Sequence, residues 1–202
     1  MDRKKEEFAM SKTQPIRQRK QLEEFKDYYL SQQPNPRNYA MIILGLNTAL
    51  RIGDILKITW DMVYDWGMGR YHSHLYLVEQ KTGKEAVIAL NHVVRETLEA
   101  LRQVQRPGQG TDYLFGSQKK KGYPISRYQA YRIIKKAAVY AHLPEHVSCH
   151  SLRKTFGYHA WKNGTQPALI MDIFNHSSYQ ITKRYLCIEQ DEKEDVFQRI
   201  NL

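Results

Sequence analysis

Eight consecutive apolar residues, Tyr39 to Leu46 in "YAMIILGL", form the longest apolar run of this chain. They belong to a segment from Arg37 to about Leu50 that is apolar on most sides, and a helix of that kind must be surrounded by other elements. Eight residues fall far short of the roughly twenty that span a bilayer, so the surround has to be protein. Asn35-Pro36 supplies an N-cap and a first helical position after the break at Pro34. With 202 residues, the chain is long enough to bury such a helix in the core of one domain.

The partners of that helix are legible as periodic segments. Ile16 to about Gln32 is expected to be helical, with Leu22, Phe25 and Tyr29 on one side. A helix from about His92 to Gln105 ends at the loop "RPGQG". A further one covers Ser126 to His142, with Arg132, Lys135 and Lys136 on one face. "RIGDILKI" reads as a short helix or turn. "YHSHLYLVE" and "EAVIALN" are β-rich segments joined by "QKTGK", where Gly83 is available for positive φ, so they form a hairpin. A short helix follows Thr165-Gln166-Pro167, and the chain closes on an amphipathic tail. The fold class is α+β, predominantly α-helical with one small antiparallel sheet.

"VSCHSLRKTFGYHAWKNG", Val147 to Gly164, is a helix with Ser148 as N-cap and Gly164 as stop. Cys149, Leu152, Phe156 and Ala160 are its expected core side. His150 and Arg153, three residues apart, share one face of the first turn. There the free N–H groups and the helix dipole favour an anion.

Charge points to the same kind of partner. Thirty-one Lys+Arg against 21 Asp+Glu give a net charge of +10, with a pI near 9.5. Seven of the basic residues lie between Tyr113 and Leu143, where there is no acid: Lys119, Lys120, Lys121, Arg127, Arg132, Lys135 and Lys136. The tail, by contrast, holds Glu189, Asp191, Glu192, Glu194 and Asp195. A concentrated basic patch predicts a polyanion, nucleic acid before membrane. Cys149 and Cys187 form no CxxC pair and read as reduced thiols of a cytosolic protein. "MDRKKEEF" has no apolar stretch of the signal-peptide kind. His and Cys do not fall at zinc spacing, so no metal is expected.

Further polar positions carry weak signals separately. Arg51 follows the apolar helix, where burying it unpaired is costly; it is either salt-bridged to Asp54 or functional. Lys81 and Lys84 flank the hairpin tip. His176 sits in "FNHSS" and Tyr185 in "TKRYLCI".

Order and spacing together are specific. Arg51, a hairpin Lys81, His150-x-x-Arg153, His176 23 residues on and Tyr185 nine further form a constellation. It resembles that of the tyrosine recombinase (phage integrase) family. "TALRIGDILKITW", "VEQKTGKEAVIAL", "CHSLRKTFGYHA" and "FNHSSYQITKRYL" look like the family's four boxes in order, across roughly residues 15–190. Two departures are visible: Gly53-Asp54 where Ser-Glu is commoner, and Asn175 where Gly is usual. Asn tolerates unusual backbone angles almost as well.

The resemblance implies a catalytic domain over residues 15–188, a leader over 1–14 and an acidic tail over 189–202 that docks on a neighbouring subunit. It implies double-stranded DNA with a specific site as partner, a homotetrameric synapse, no cofactor, and a cytoplasmic, nucleoid-associated location. Tyr185 would attack the scissile phosphate, Arg51 and Arg153 would clamp its oxygens, and His150 would take the tyrosine's proton. Lys81 would protonate the leaving 5′-oxygen, His176 would donate a hydrogen bond, and Asp54 would orient Arg51 or His150. Members usually carry a helical core-binding domain before the catalytic one. The chain therefore reads either as a domain cut from a longer protein or as a stand-alone form like the small fimbrial-switch invertases. A type IB topoisomerase and a non-catalytic integrase-derived regulator are the alternatives.

Overall fold

The apolar run becomes the helix around which the rest is assembled. The computed structural model describes residues 13–108, 110–144 and 146–200; of the leader expected over 1–14, residues 1–12 lie outside the described residues. The chain opens with α1 (Arg19–Asp27), a π-helical turn (Tyr28–Gln32) and α2 (Pro36–Asn47). Asn35 caps α2 by accepting from Asn38 N at 3.0 Å, and Pro36 is its first residue. Ala40 to Leu44 are at most 2% exposed, as an all-round apolar helix requires. α2 packs against α4 (His92–Gln105) and α6 (Cys149–Lys162). At Gly45 a Cβ would collide with the Leu152 side chain of α6, so glycine is what permits this close approach.

Ile16 is not helical as expected. It is buried in irregular chain before α1, and its N–H donates to Thr155 Oγ1 of α6 at 2.9 Å, so a tertiary bond replaces the helix start. After α2 come α3 (Ile52–Ile55), a 3₁₀ turn (Trp60–Met62) and two hairpins. The expected hairpin pairs β3 (His74–Val78) with β4 (Glu85–Ala89) antiparallel, His74 opposite Ala89 and Val78 opposite Glu85. Gly83 takes φ +66° in its turn and donates to Glu79 O at 2.8 Å.

A second sheet, β1 (Tyr64–Asp65) with β2 (Arg70–Tyr71), corrects the expectation of one. Asp65 Oδ1 accepts from Gly67 N and Met68 N, each at 3.0 Å, and Tyr64 packs edge-on against Trp66 and Tyr71. Two-residue strands are too short to show alternation in a sequence.

The rest is helical: α5 (Arg127–Tyr140), α6, α7 (Pro167–Phe174), α8 (Tyr179–Leu186) and α9 (Glu189–Arg199). Ser148 caps α6 in a reciprocal box with Ser151. The expected core stripe of α6 is corrected. Of Cys149, Leu152, Phe156 and Ala160 only Leu152 is fully buried, whereas Ser151 to Thr155 are buried without a break. The reason is that α6 runs between two cores. Leu152 belongs to the large one around α2, while Phe156 and Tyr158 pack on a smaller one formed by Ala49, Ile170, Phe174, Leu186 and Ile188. Gly157 faces that smaller core, where a Cβ would come within 2.7 Å of Phe174 and Leu186. Among the described residues no helix is long and apolar enough to cross a membrane.

Candidate active site

Four of the six expected reacting residues come from three separate segments and, with Asp54, line one cavity of about 350 Å³. Arg51 enters as the N-cap residue of α3, just after Ala49 turns the chain through a left-handed conformation. Lys81 arrives in the β3–β4 turn, and His150 and Arg153 on the first turns of α6. Arg127, the first residue of α5, lines the same cavity. Its guanidinium lies against Gly53, where a Cβ would stand 2.5 Å from Nη2. A serine at position 53 would therefore push Arg127 aside.

Arg153 is the buried hub. Only 3% exposed, it donates from Nη1 to Ala49 O and from Nη2 to Phe174 O at 3.1 Å, with its guanidinium 4.5 Å above the Phe174 ring. Tyr185 and His176 pack at the same place, 5.2 Å apart centroid to centroid, and Tyr185 lies 5.5 Å from Phe174. His176 Nδ1 is fixed by Thr182 Oγ1 at 3.0 Å. Asn175 before it adopts φ 53°, a conformation asparagine accepts.

The electrostatics follow from burial among cations. Partial burial lowers the pKa of His150, which stays partly exposed, and Lys154, Arg51, Lys81 and Arg153 lower it further. His176 is lowered by burial, then by Arg153 and Arg51. Both imidazoles are therefore neutral at neutral pH. Burial raises the Tyr185 phenol, and the attraction of Arg153 and Arg51 offsets part of that rise. Tyr185 keeps its proton and needs a base to lose it. Burial pushes the Cys149 thiol up to about 11, which leaves it inert as a nucleophile.

Asp54 lines the same cavity, but its bond goes elsewhere than to Arg51 or His150. Arg51 Nη1 lies 2.8 Å from Glu79 Oε1, whereas Asp54 Oδ1 accepts from Gln80 N at 3.0 Å. Gln80 Nε2 also donates to Gly53 O at 2.7 Å. Asp54 thus fastens the turn that carries Lys81, and its Oδ2 makes no hydrogen bond to Arg51 or His150. Two participants escaped the sequence reading. Glu79 is 2% exposed; burial alone would raise its carboxyl, but the Thr82 hydroxyl, Arg51 and Arg153 hold it below the ordinary range. Lys154 is 5% exposed, donates to Thr13 O at 2.6 Å, and sits 5.0 Å from the Tyr185 ring. The signal for Glu79 was its place two residues before Lys81. For Lys154 it was a second cation beside Arg153.

Tyr179, a second tyrosine close after His176, is the first residue of α8. Lys183 Nζ stands over its ring at 5.3 Å. The basic patch divides. Lys119, Lys120 and Lys121 are exposed on the loop before α5, Lys120 lying 3.7 Å from the Tyr123 ring. Exposed Arg132 and half-buried Lys135 follow on α5. Lys135 and Lys136 border a shallow depression with Tyr28, Val139 and Tyr140, apart from the His150 cavity. Only Arg127 of the seven reaches that cavity.

A sequence model of the phage integrase family matches residues 17–192. The chain is 38% identical over 179 residues to the probable integrase/recombinase YoeC of Bacillus subtilis strain 168, spanning 88% of this chain and 91% of that protein. It is 30% identical over 169 residues to the type 1 fimbriae regulatory protein FimE of Escherichia coli K12, spanning 82% of each. In three dimensions it matches XerA recombinase with a TM-score of 0.73 at 18% identity, over 96% of this chain and 66% of that one. XerH site-specific recombinase, solved on its palindromic difH substrate after cleavage, gives 0.72 at 18% identity over 93% and 54%. The chain thus spans two thirds or less of these solved proteins, and the fold they share with it is the mainly helical catalytic-domain fold.

Proposed function

Because this chain belongs to the phage integrase family, we propose that it is a site-specific DNA recombinase that cuts and rejoins DNA through a 3′-phosphotyrosyl intermediate. The observation that carries this reading is the single cavity lined by Arg51, Lys81, His150 and Arg153, with Tyr185 and His176 packed beside Arg153. Two guanidinium forks suit a phosphate whose equatorial oxygens gain charge during displacement. The Tyr185 oxygen bonds to phosphorus and the bond to the 5′-oxygen breaks. Neutral His150 accepts the phenol proton, and Lys81 gives one to the departing oxygen. His176, its Nδ1 side held by Thr182, directs its other nitrogen to the phosphate. The phosphoester energy is kept in the tyrosine ester, so religation draws on neither ATP nor metal. Residues 15–188 are the catalytic unit in this reading, and it works on DNA in the cytoplasm.

A DNA duplex nicked just past the cleavage site traps the intermediate, because the freed end diffuses away. In EDTA and without ATP, the protein should become attached to that strand in a form that survives denaturation. Binding without attachment would favour a non-catalytic regulator. Relaxation of supercoiled plasmid at no defined site would favour a topoisomerase.

Lys81 rather than Lys84 is the acid in this scheme, since Lys81 lines the cavity and Lys84 does not. Replacing the leaving 5′-oxygen by sulfur removes most of the need for a proton. Lys81→Ala should therefore be slow on ordinary DNA and recover on the sulfur substrate, with Arg51→Ala recovering nothing. Equal rescue of both would remove Lys81 from the role.

The tail supports assembly on DNA. Arg17 pairs with Asp191 at 2.7 Å and with Cys187 O at 2.6 Å, which anchors the start of α9 to its own domain. Val196, Phe197 and Ile200 beyond it are 55%, 81% and 57% exposed. In this reading the exposed apolar stripe is where a second copy of the chain docks. Deleting residues 192–202 should leave single-site DNA binding in place and impair pairing of two sites; unchanged recombination would count against it.

A further inference from the structure

Glu79 is a buried charge to which the scheme above gives no task. It follows β3 directly and stands two residues before Lys81. Its carboxylate meets four segments. Oε1 lies 2.8 Å from Arg51 Nη1 and 3.7 Å from Arg153 Nη1. Oε2 accepts from Thr82 Oγ1 at 2.7 Å and from Asn175 Nδ2 at 3.4 Å. The backbone closes the same turn, Glu79 N donating to Lys84 O at 2.9 Å and Gly83 N to Glu79 O at 2.8 Å.

We propose that Glu79 is a positioning residue for strand cleavage, holding the two arginines together and fastening the Lys81 turn against them before DNA arrives. The inference rests on the recombinase reading and adds to it a residue outside the reacting set. Two guanidiniums side by side repel, and a fixed anion between them removes that repulsion. A buried Arg–Glu–Arg group gains little net stability, because desolvation offsets the attraction, so its rationale lies in the geometry it imposes. The Arg51 contact is an ion pair whose Nη1 makes no aligned hydrogen bond.

A carboxylate on two arginines could instead stand in for the phosphate and be displaced by DNA. Its position argues against that. Glu79 does not line the cavity shared by Arg51, Lys81, His150 and Arg153. It lines a different cleft of about 560 Å³ beneath the hairpin, with Arg153 forming part of both walls. The carboxylate backs the arginines and leaves their cavity face open.

The test uses the full chain with Glu79→Gln, which keeps shape and loses charge, and Glu79→Asp, which keeps charge on a shorter arm. At saturating nicked duplex, Glu79→Gln should cleave about 100-fold more slowly, the scale of effect that small misplacements produce, and Glu79→Asp should recover part of the rate. Hydrogen exchange in the DNA-free protein should quicken at residues 80–84 in Glu79→Gln relative to wild type. An unchanged saturating rate or unchanged exchange overturns the inference, and faster cleavage by Glu79→Gln would show a competitor of phosphate instead. If wild-type protein forms no adduct, the recombinase reading fails, and exchange alone then decides whether Glu79 assembles the turn.

Discussion

Tyr185→Phe protein will still shift its DNA site in a gel and will leave no denaturation-resistant adduct on the nicked duplex. The substitution removes one oxygen and keeps the ring that packs against Phe174 and His176, so folding and binding should be almost unchanged. Loss of attachment should be complete, since no other group can form the ester. Tyr179 is the control. Six residues away on α8, it is turned well off the Tyr185 face, toward Lys183. Tyr179→Phe should form the adduct at close to the wild-type rate. An adduct on Tyr185→Phe, or its loss from Tyr179→Phe alone, would reassign the nucleophile.

Arg153→Ala should lose both stability and cleavage. It would leave Ala49 O and Phe174 O without their donors and Glu79 with one arginine instead of two. Removing one partner from a buried, hydrogen-bonded charge group costs about 3–5 kcal/mol. For a domain of this size that corresponds to a fall in Tm of roughly 6–20 °C, at roughly 2–4 °C per kcal/mol. Arg153→Lys separates the two effects. It restores a charge beside Glu79, so most of the stability should return, but its ammonium cannot make the forked contact. Its cleavage rate should stay about 100-fold below wild type at temperatures where it is folded. A melting curve for Arg153→Ala that overlays wild type would mean that the arginine does not hold the α6–α7 region together. An Arg153→Lys protein that cleaves normally would remove the fork from the mechanism.

Acidity adds a smaller effect with a definite sign. His150 has a pKa lowered by burial and by the surrounding cations, so its basic form predominates at neutral pH. Cleavage limited by that base should fall only as pH drops below the ordinary imidazole range.

Much of this protein was legible because the relevant physics is local. The all-round apolar run at Tyr39–Leu46 dictated a central helix, and Asn35-Pro36 and Ser148 marked where helices begin, since a cap is satisfied by backbone within three residues. Gly83 announced the hairpin turn, because few other residues take its positive φ cheaply. Four separated motifs in order were enough to indicate the family, and they supply the six residues to which the proposed mechanism assigns roles.

Asp54 shows where that stops. Three residues from Arg51, it looked like the natural partner, yet Arg51 precedes a four-residue helix instead of lying within it. Its guanidinium therefore turns to Glu79, 28 positions on, and Asp54 turns to Gln80. The buried side of α6 was misjudged in the same way, since nothing local says that a helix will lie between two cores. By itself the sequence determined most of the helices, the β3–β4 hairpin and the set of side chains proposed to carry the chemistry, because propensity, capping and motif order act over short spans. Only the tertiary structure decided which charges meet. A buried ion takes whichever opposite charge the packing of distant segments brings within about 4 Å, and that distance is set by the whole fold.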